Sequence, residues 1–146
     1  YDKGGGRLIG EACHFIDLCR FLIGKRIVEW SKNIMDDTNK DTFTISLKFE
    51  DGSIGTINYF ANGHRALSKE RIEVYVDNKI LKINNFKTLV GYGWNTFFNP
   101  FSINQNKGQK EIVSKFLHSL TLSKEPIIPY NEIIEVAKVS ILLDKN

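Results

Sequence analysis

Sulfur and proline are scarce in this chain, and no sign of charge dominates it. Its 146 residues include two cysteines, one methionine and three prolines. Cys13 and Cys19 lie six residues apart in a stretch of helical period, about 240° apart around the helix axis, so they cannot bond to each other. A disulfide scaffold is thereby excluded, and both thiols are expected in the core of a reduced, cytoplasmic protein. A zinc site from Cys13, His14 and Cys19 is not expected, because the spacing fits no usual ligand set. No metal is expected. The formal net charge is +3 and no block of Lys or Arg stands out, so nucleic acid is not implied as a partner. No apolar run reaches the length of a membrane span, and no signal peptide precedes the first glycines. Neither a membrane nor a secretory route is expected.

What is present is the composition of a globular domain: 42% hydrophobic and 25% charged residues. The length suits one domain with one core, and residues 1–146 are expected to form it. The chain begins at Tyr1 rather than methionine and enters at once on a loop, so it reads as a piece of a longer protein. No repeat, low-complexity tract or interdomain linker is visible.

In the opening helix Ala12, Ile16, Cys19 and Ile23 share one face at a period of 3.6, flanked by Ile9, Phe15 and Leu22. Gly24 stops it. His14 lies about 180° from the centre of that stripe, among Gly10, Asp17, Leu18 and Phe21, on a second face that expects cover from something else. Strands follow. Arg26–Asn33 is the first, and Thr42–Glu50 alternates, with Phe43, Ile45, Leu47 and Phe49 on one side. Asp51-Gly52 turns the chain into Ser53–Ala61. Only a three-residue loop with Gly52 in the left-handed region sets Leu47 opposite Gly55, Ile45 opposite Ile57 and Phe43 opposite Tyr59, which keeps one face apolar. A second hairpin turns at Asp77-Asn78 and pairs Val74 with Leu81 and Ile72 with Ile83. Phe86–Val90 is a further candidate strand.

Gly91–Asn106 is a long loop rich in Gly, Asn and aromatics. A helix over Gly108–Leu122 is expected to turn Ile112, Val113, Phe116, Leu117 and Leu120 inward, with His118 as a structural neighbour. Pro126 and Pro129 break the chain before a last helix from Asn131 to Leu143. One helix, several antiparallel strands and two helices make an α+β fold: an open, mainly antiparallel β-sheet with helices packed on one face.

The run GGGRLIGEACHFIDLCRFLIG resembles the signature that opens the C-terminal domain of the glucose–fructose oxidoreductase/inositol dehydrogenase (Gfo/Idh/MocA-like) family of NAD(P)-dependent oxidoreductases. It matches at Gly5, Gly6, Leu8, His14, Asp17, Leu22 and Gly24. The stretches SKERIEVYVDNKILKINNF and KGQKEIVSKFLHSL…EPIIPYNEIIEVAK are similar to the middle and end of that domain, in the right order. The resemblance implies a parent enzyme with an N-terminal Rossmann domain, absent here, that binds NAD or NADP and carries the catalytic lysine. This chain would then be the substrate-binding and oligomerisation domain of an oxidoreductase acting on a sugar or nucleotide-sugar hydroxyl. A homo-oligomer built through the sheet is implied with it. The alternative is a non-catalytic binding or assembly domain that retains the fold.

No cofactor is expected in this chain by itself. A dinucleotide fingerprint needs glycines between a strand and a helix, whereas Gly91-Tyr92-Gly93 runs on into Trp94, Asn95 and Thr96 in a loop. Within the resemblance the catalytic candidates are His14, Asp17 and Glu11. Oxidising a hydroxyl releases a hydride and a proton, and imidazole, with an unperturbed pKa of about 6.5, suits the proton. Asp17 can accept a hydrogen bond from His14 or from a sugar hydroxyl. The family usually has a second aspartate four residues before the histidine. Here that position is Gly10, and Glu11 is the nearest carboxylate, about 100° around the helix. His64 and Arg65 follow a strand end in FANGHRALSKER and are candidate substrate contacts, since loops at strand ends often line sites. Lys69, Glu70 and Arg71 read as a charged strand entry, and Tyr92, Trp94, Phe97 and Phe98 as hydrophobic anchors of their loop.

Overall fold

A computed structural model describes residues 6–36, 38, 40–97, 104–123 and 126–145. Gly5 of the signature and Phe98 of the aromatic loop lie outside the described residues. The chain divides into two compact units, Tyr1–Asn62 with Pro126–Asn146, and Gly63–Glu125.

In the first unit a π-helical turn, Leu8–Ala12, runs directly into helix α1, Cys13–Ile23. At the junction the N–H of Cys13 reaches back to the carbonyl of Leu8, five residues earlier. Leu8, Ala12 and Ile16 are buried, and Cys19 and Ile23 continue the stripe half-buried. The face expected from the period is the face that packs, although Leu22 at its flank is exposed. Gly24, at φ 69°, ends the helix and donates its N–H to the Arg20 carbonyl at 2.9 Å.

Strands β1 (Ile27–Ile34), β2 (Thr42–Phe49) and β3 (Ile54–Phe60) follow as an antiparallel sheet in that spatial order. The β2–β3 register is the one that keeps a face apolar: Phe43 opposite Tyr59, Ile45 opposite Ile57, Leu47 opposite Gly55. Gly52 takes φ 86°, and the Asp51 carboxylate accepts the Ser53 N–H at 3.0 Å, which holds Asp51 below its ordinary carboxyl pKa. Phe43, Ile45, Leu47 and Phe49 are buried; Ser46, Lys48, Thr56 and Asn58 on the other face are exposed.

A bulge between Ile27 and Glu29 re-phases β1, so that Trp30, Lys32 and Ile34 pair with Leu47, Ile45 and Phe43. Lys32 is thereby carried to the apolar face. Its ammonium donates to the Leu143 carbonyl in the last turn of helix α3 (Tyr130–Lys145), and burial lowers its pKa. Helix α3 adds Val136, Val139 and Leu143 to the core. Both helices therefore cover the apolar side of this sheet, and each large side chain buried there contributes roughly 1.5–3 kcal/mol.

The second unit contains β4 (Arg71–Val76), β5 (Lys79–Asn84) and β6 (Thr88–Tyr92), again antiparallel and in order. Asp77 and Asn78, at φ 48° and 61°, form the tight primed turn that their residue types favour, and Val74 meets Leu81 as Ile72 meets Ile83. The third strand begins later than expected because Asn85 and Phe86, both at φ 52°, are used by the next turn. The α+β class with antiparallel strands is the one the sequence implied. Among the described residues its strands fall into two three-stranded sheets.

Residues 104–108 are tied to the end of this second sheet. The Asn106 N–H reaches the Phe86 carbonyl at 3.2 Å, and Gln105 donates to Glu70 at 3.2 Å, with Lys107 also paired to Glu70. Helix α2, Gln109–His118, follows and ends in a π-helical turn, Ser119–Ser123. Here the inward stripe is corrected. Ile112, Val113, Phe116, Leu117 and Leu120 are 51–61% exposed, and His118 is exposed with them. Their spacing makes the helix amphipathic, but the described residues offer no surface that covers it.

Candidate functional site

The first three catalytic candidates belong to the first unit. His14 is exposed on α1, as its position opposite the core stripe requires, and Asp17, one helical step on, is half-buried. Neither shares the face of Ala12 and Ile16, both fully buried. Among the described residues neither side chain is hydrogen-bonded, which leaves imidazole and carboxylate open to a ligand.

Glu11 is placed differently. It lies in the π-helical turn, three residues before His14, and is exposed. Arg7, one turn earlier, forms an ion pair with its Oε1, and the Tyr59 hydroxyl on β3 donates to its Oε2. The Tyr59 ring is itself ordered, stacked on buried Phe43 with centroids 5.2 Å apart and planes 13° from parallel. Partial burial and the carboxylate of Glu11 together push the Tyr59 phenol up to about 12. Arg7 is raised in turn by Glu11, and its Nε lies 3.9 Å from Asp41. No local pattern in the sequence marks Tyr59 or Arg7. The register pairing of Tyr59 with Phe43 was the signal available, since it places Tyr59 on the helix-covered face.

Arg20, also unmarked, is buried. It makes ion pairs with Glu132 at 3.4 Å and Glu135 at 3.3 Å, and Glu135 also accepts the Ile27 N–H. This network joins α1, β1 and α3 and so fixes the helix that carries His14. Cys13 donates its thiol hydrogen to the Ile9 carbonyl at 2.9 Å, and Cys19 packs against Gly55. Burial raises the pKa of both thiols. No group of three His, Cys, Asp or Glu side chains among the described residues is arranged to hold a metal.

His64 and Arg65 belong to the second unit, in an exposed turn at its start. The imidazole Nδ1 accepts the Ala66 N–H at 3.2 Å, and the His64 carbonyl accepts the Leu67 N–H at 3.0 Å, so His64 shapes the turn that displays Arg65. In the aromatic loop the Phe97 ring lies directly over Gly91, where a Cβ would overlap it. Trp94 tilts against Phe97 at 6.0 Å, and the Lys79 ammonium sits 4.7 Å from the Trp94 ring centre. These contacts anchor the loop. They also close the space over Gly91. An open hollow of about 440 Å³ at the β4–β5 turn, lined by Tyr75 to Ile80, contains none of the site candidates. No helix among the described residues is long and apolar enough to cross a membrane.

The fold is shared with solved dehydrogenase structures, among them the following three. UDP-N-acetylglucosamine 3-dehydrogenase GnnA from Acidithiobacillus ferrooxidans is 13% identical with a TM-score of 0.76, over 99% of this chain and 47% of its own. The WlbA dehydrogenase from Bordetella pertussis, solved in complex with NADH and UDP-GlcNAcA, is 16% identical with a TM-score of 0.56, over 97% of this chain and 42% of its own. Myo-inositol 2-dehydrogenase from Lactobacillus plantarum is 18% identical with a TM-score of 0.57, over 98% of this chain and 46% of its own. The chain thus spans about half the length of these enzymes. No curated protein matches it in sequence. The family model for the GFO/IDH/MocA C-terminal domain matches residues 1–82, more than half of the chain. With His14 and Asp17 of the signature displayed on α1 and the fold shared with these dehydrogenases, the chain belongs to the GFO/IDH/MocA C-terminal domain family.

Proposed function

We propose that this chain is the substrate-binding and oligomerisation domain of an NAD(P)-dependent oxidoreductase that acts on a sugar or nucleotide-sugar hydroxyl. The observation that carries the reading is the pair His14 and Asp17, held one helical step apart on the side of α1 turned away from its core. The family supports it, as do two structural neighbours named for or solved with a nucleotide-sugar and a third named as a myo-inositol dehydrogenase. His14 takes the proton of the substrate hydroxyl, and Asp17 accepts a hydrogen bond from the imidazole or from a neighbouring hydroxyl. Glu11 supplies a second carboxylate. A bound nicotinamide cofactor would supply the hydride acceptor. NAD or NADP is held mainly by a Rossmann domain outside this chain, as the family resemblance implies. Copies of the protein pair through the polar outer face of the first sheet, in the cytoplasm.

The competing reading is a binding or assembly domain without chemistry. Gly10 favours it by leaving no carboxylate one turn before His14. One variant of the complete protein separates the two. With NAD or NADP and either UDP-N-acetylglucosamine or myo-inositol as probes, His14→Asn should lower kcat by about 10²–10⁴-fold at near-parental melting. A complete protein that binds these sugars but reduces neither cofactor supports the second reading.

A further inference from the structure

An exposed carboxylate on a helix normally samples several rotamers, and an exposed ion pair adds little to stability. Glu11 is nevertheless held at both oxygens, by Arg7 from its own turn and by the Tyr59 hydroxyl from β3. The second donor is pre-ordered, because the Tyr59 ring is stacked on Phe43, which is 3% exposed. The hydrogen bond is charge-assisted, which makes it the stronger of the two kinds. Glu11 and Asp17 stand three residues before and three residues after His14. The irregular backbone falls at Glu11 itself, in the π-helical turn, a feature that recurs at functional sites.

We infer that Tyr59 is a positioning residue: its hydroxyl orients Glu11 as the second carboxylate of the His14 site. The inference rests on the function proposed above. Tyr59 touches no substrate in this scheme. It acts through Glu11, and the stack on Phe43 holds its hydroxyl in place through each turnover.

The test uses the complete protein with NAD or NADP and the same two probes, UDP-N-acetylglucosamine and myo-inositol. Tyr59→Phe keeps the stack and removes the hydroxyl. It should lower kcat about tenfold, leave KM within about twofold and melt near the parent. Glu11→Gln should lower kcat at least as far, and Glu11→Gln with Tyr59→Phe should be no slower than Glu11→Gln alone. A purely structural tyrosine would instead lower melting and leave kcat of the folded enzyme unchanged, and a tyrosine that acts independently of Glu11 would give two losses in kcat that multiply in the double variant. Either result overturns the inference. A second measurement does not depend on turnover. In Glu11→Gln the Tyr59 phenol, identified by its absence from the Tyr59→Phe spectrum, should ionise at lower pH than in the parent; an unchanged titration also overturns the inference. Loss of activity in His14→Asn with full activity in Tyr59→Phe leaves the proposed function standing and removes Tyr59 from it. A parent protein that oxidises neither probe with either cofactor removes both.

Discussion

Nε of Arg20, on α1, lies 3.3 Å from Oε2 of Glu135, on α3, although 115 residues separate them in the chain. The guanidinium is buried and its second partner, Glu132, stands 3.4 Å away. Glu135 also takes the N–H of Ile27 at the start of β1. One cation thus satisfies two carboxylates and sets the helix of His14 against the rest of its unit.

Removing that cation should be costly. Arg20→Ala leaves two partly buried carboxylates facing each other without a counter-charge, a change that typically costs about 3–5 kcal/mol. The midpoint of urea unfolding should fall accordingly, while Arg26→Ala, in an exposed pair with Glu50, should cost less than about 1 kcal/mol. Equal midpoints for the two variants would show that the Arg20 network is as solvated as the surface pair.

Gly55 should tolerate no branched side chain. A Cβ there would come within 3.2 Å of the Cys19 sulfur and 3.4 Å of the Phe49 ring. Gly55→Val would force β3 away from α1, at a cost of about 1–3 kcal/mol for overpacking. The pair Gly55→Val with Cys19→Ala should recover part of the loss, measured by thermal melting. No recovery would mean that the strain lies elsewhere.

Tyr59 should make the protein sensitive to alkali. Its phenol ionises near 10 when unfolded and is raised to about 12 in the folded protein. The folded state keeps that proton where the unfolded state has lost it, so this contribution to stability is complete below about pH 10 and is lost as pH rises through about 12. Urea unfolding followed from pH 9 upward should show the parent falling toward Tyr59→Phe across that window. Parallel curves would show that the phenol titrates alike in both states.

Both cysteines should be sluggish nucleophiles. Burial raises each thiol pKa, so little thiolate is present at neutral pH. Iodoacetamide should label Cys13 and Cys19 slowly in buffer and rapidly in denaturant, with Cys19, beneath Gly55, the slower of the two when folded. Fast labelling of both in buffer would place the thiols outside the core.

Much of this was legible because it is local. The period of 3.6 identified the Ala12, Ile16, Cys19 and Ile23 stripe and put His14 opposite it. Alternation in Thr42–Phe49, with a turn that needs one left-handed residue, was enough to select the β2–β3 register. Asp77-Asn78 set the second hairpin in the same way. The α2 stripe misled for a physical reason. Periodicity shows that a helix has an apolar face but says nothing of what covers it, and Ile112, Phe116 and Leu117 remain exposed.

Elements and hairpin registers were thus determined by the sequence alone, through contacts between residues close in the chain. The partners of the site were decided by the tertiary structure. A bulge at Ile27 and Glu29 turns Lys32 onto the apolar face and its ammonium onto the end of α3. Arg20 finds Glu132 and Glu135, and Glu11 finds Tyr59, across distances of chain that no local pattern spans. Charged groups are free to meet any opposite charge that packing brings near, and only the packed core specifies which one that is.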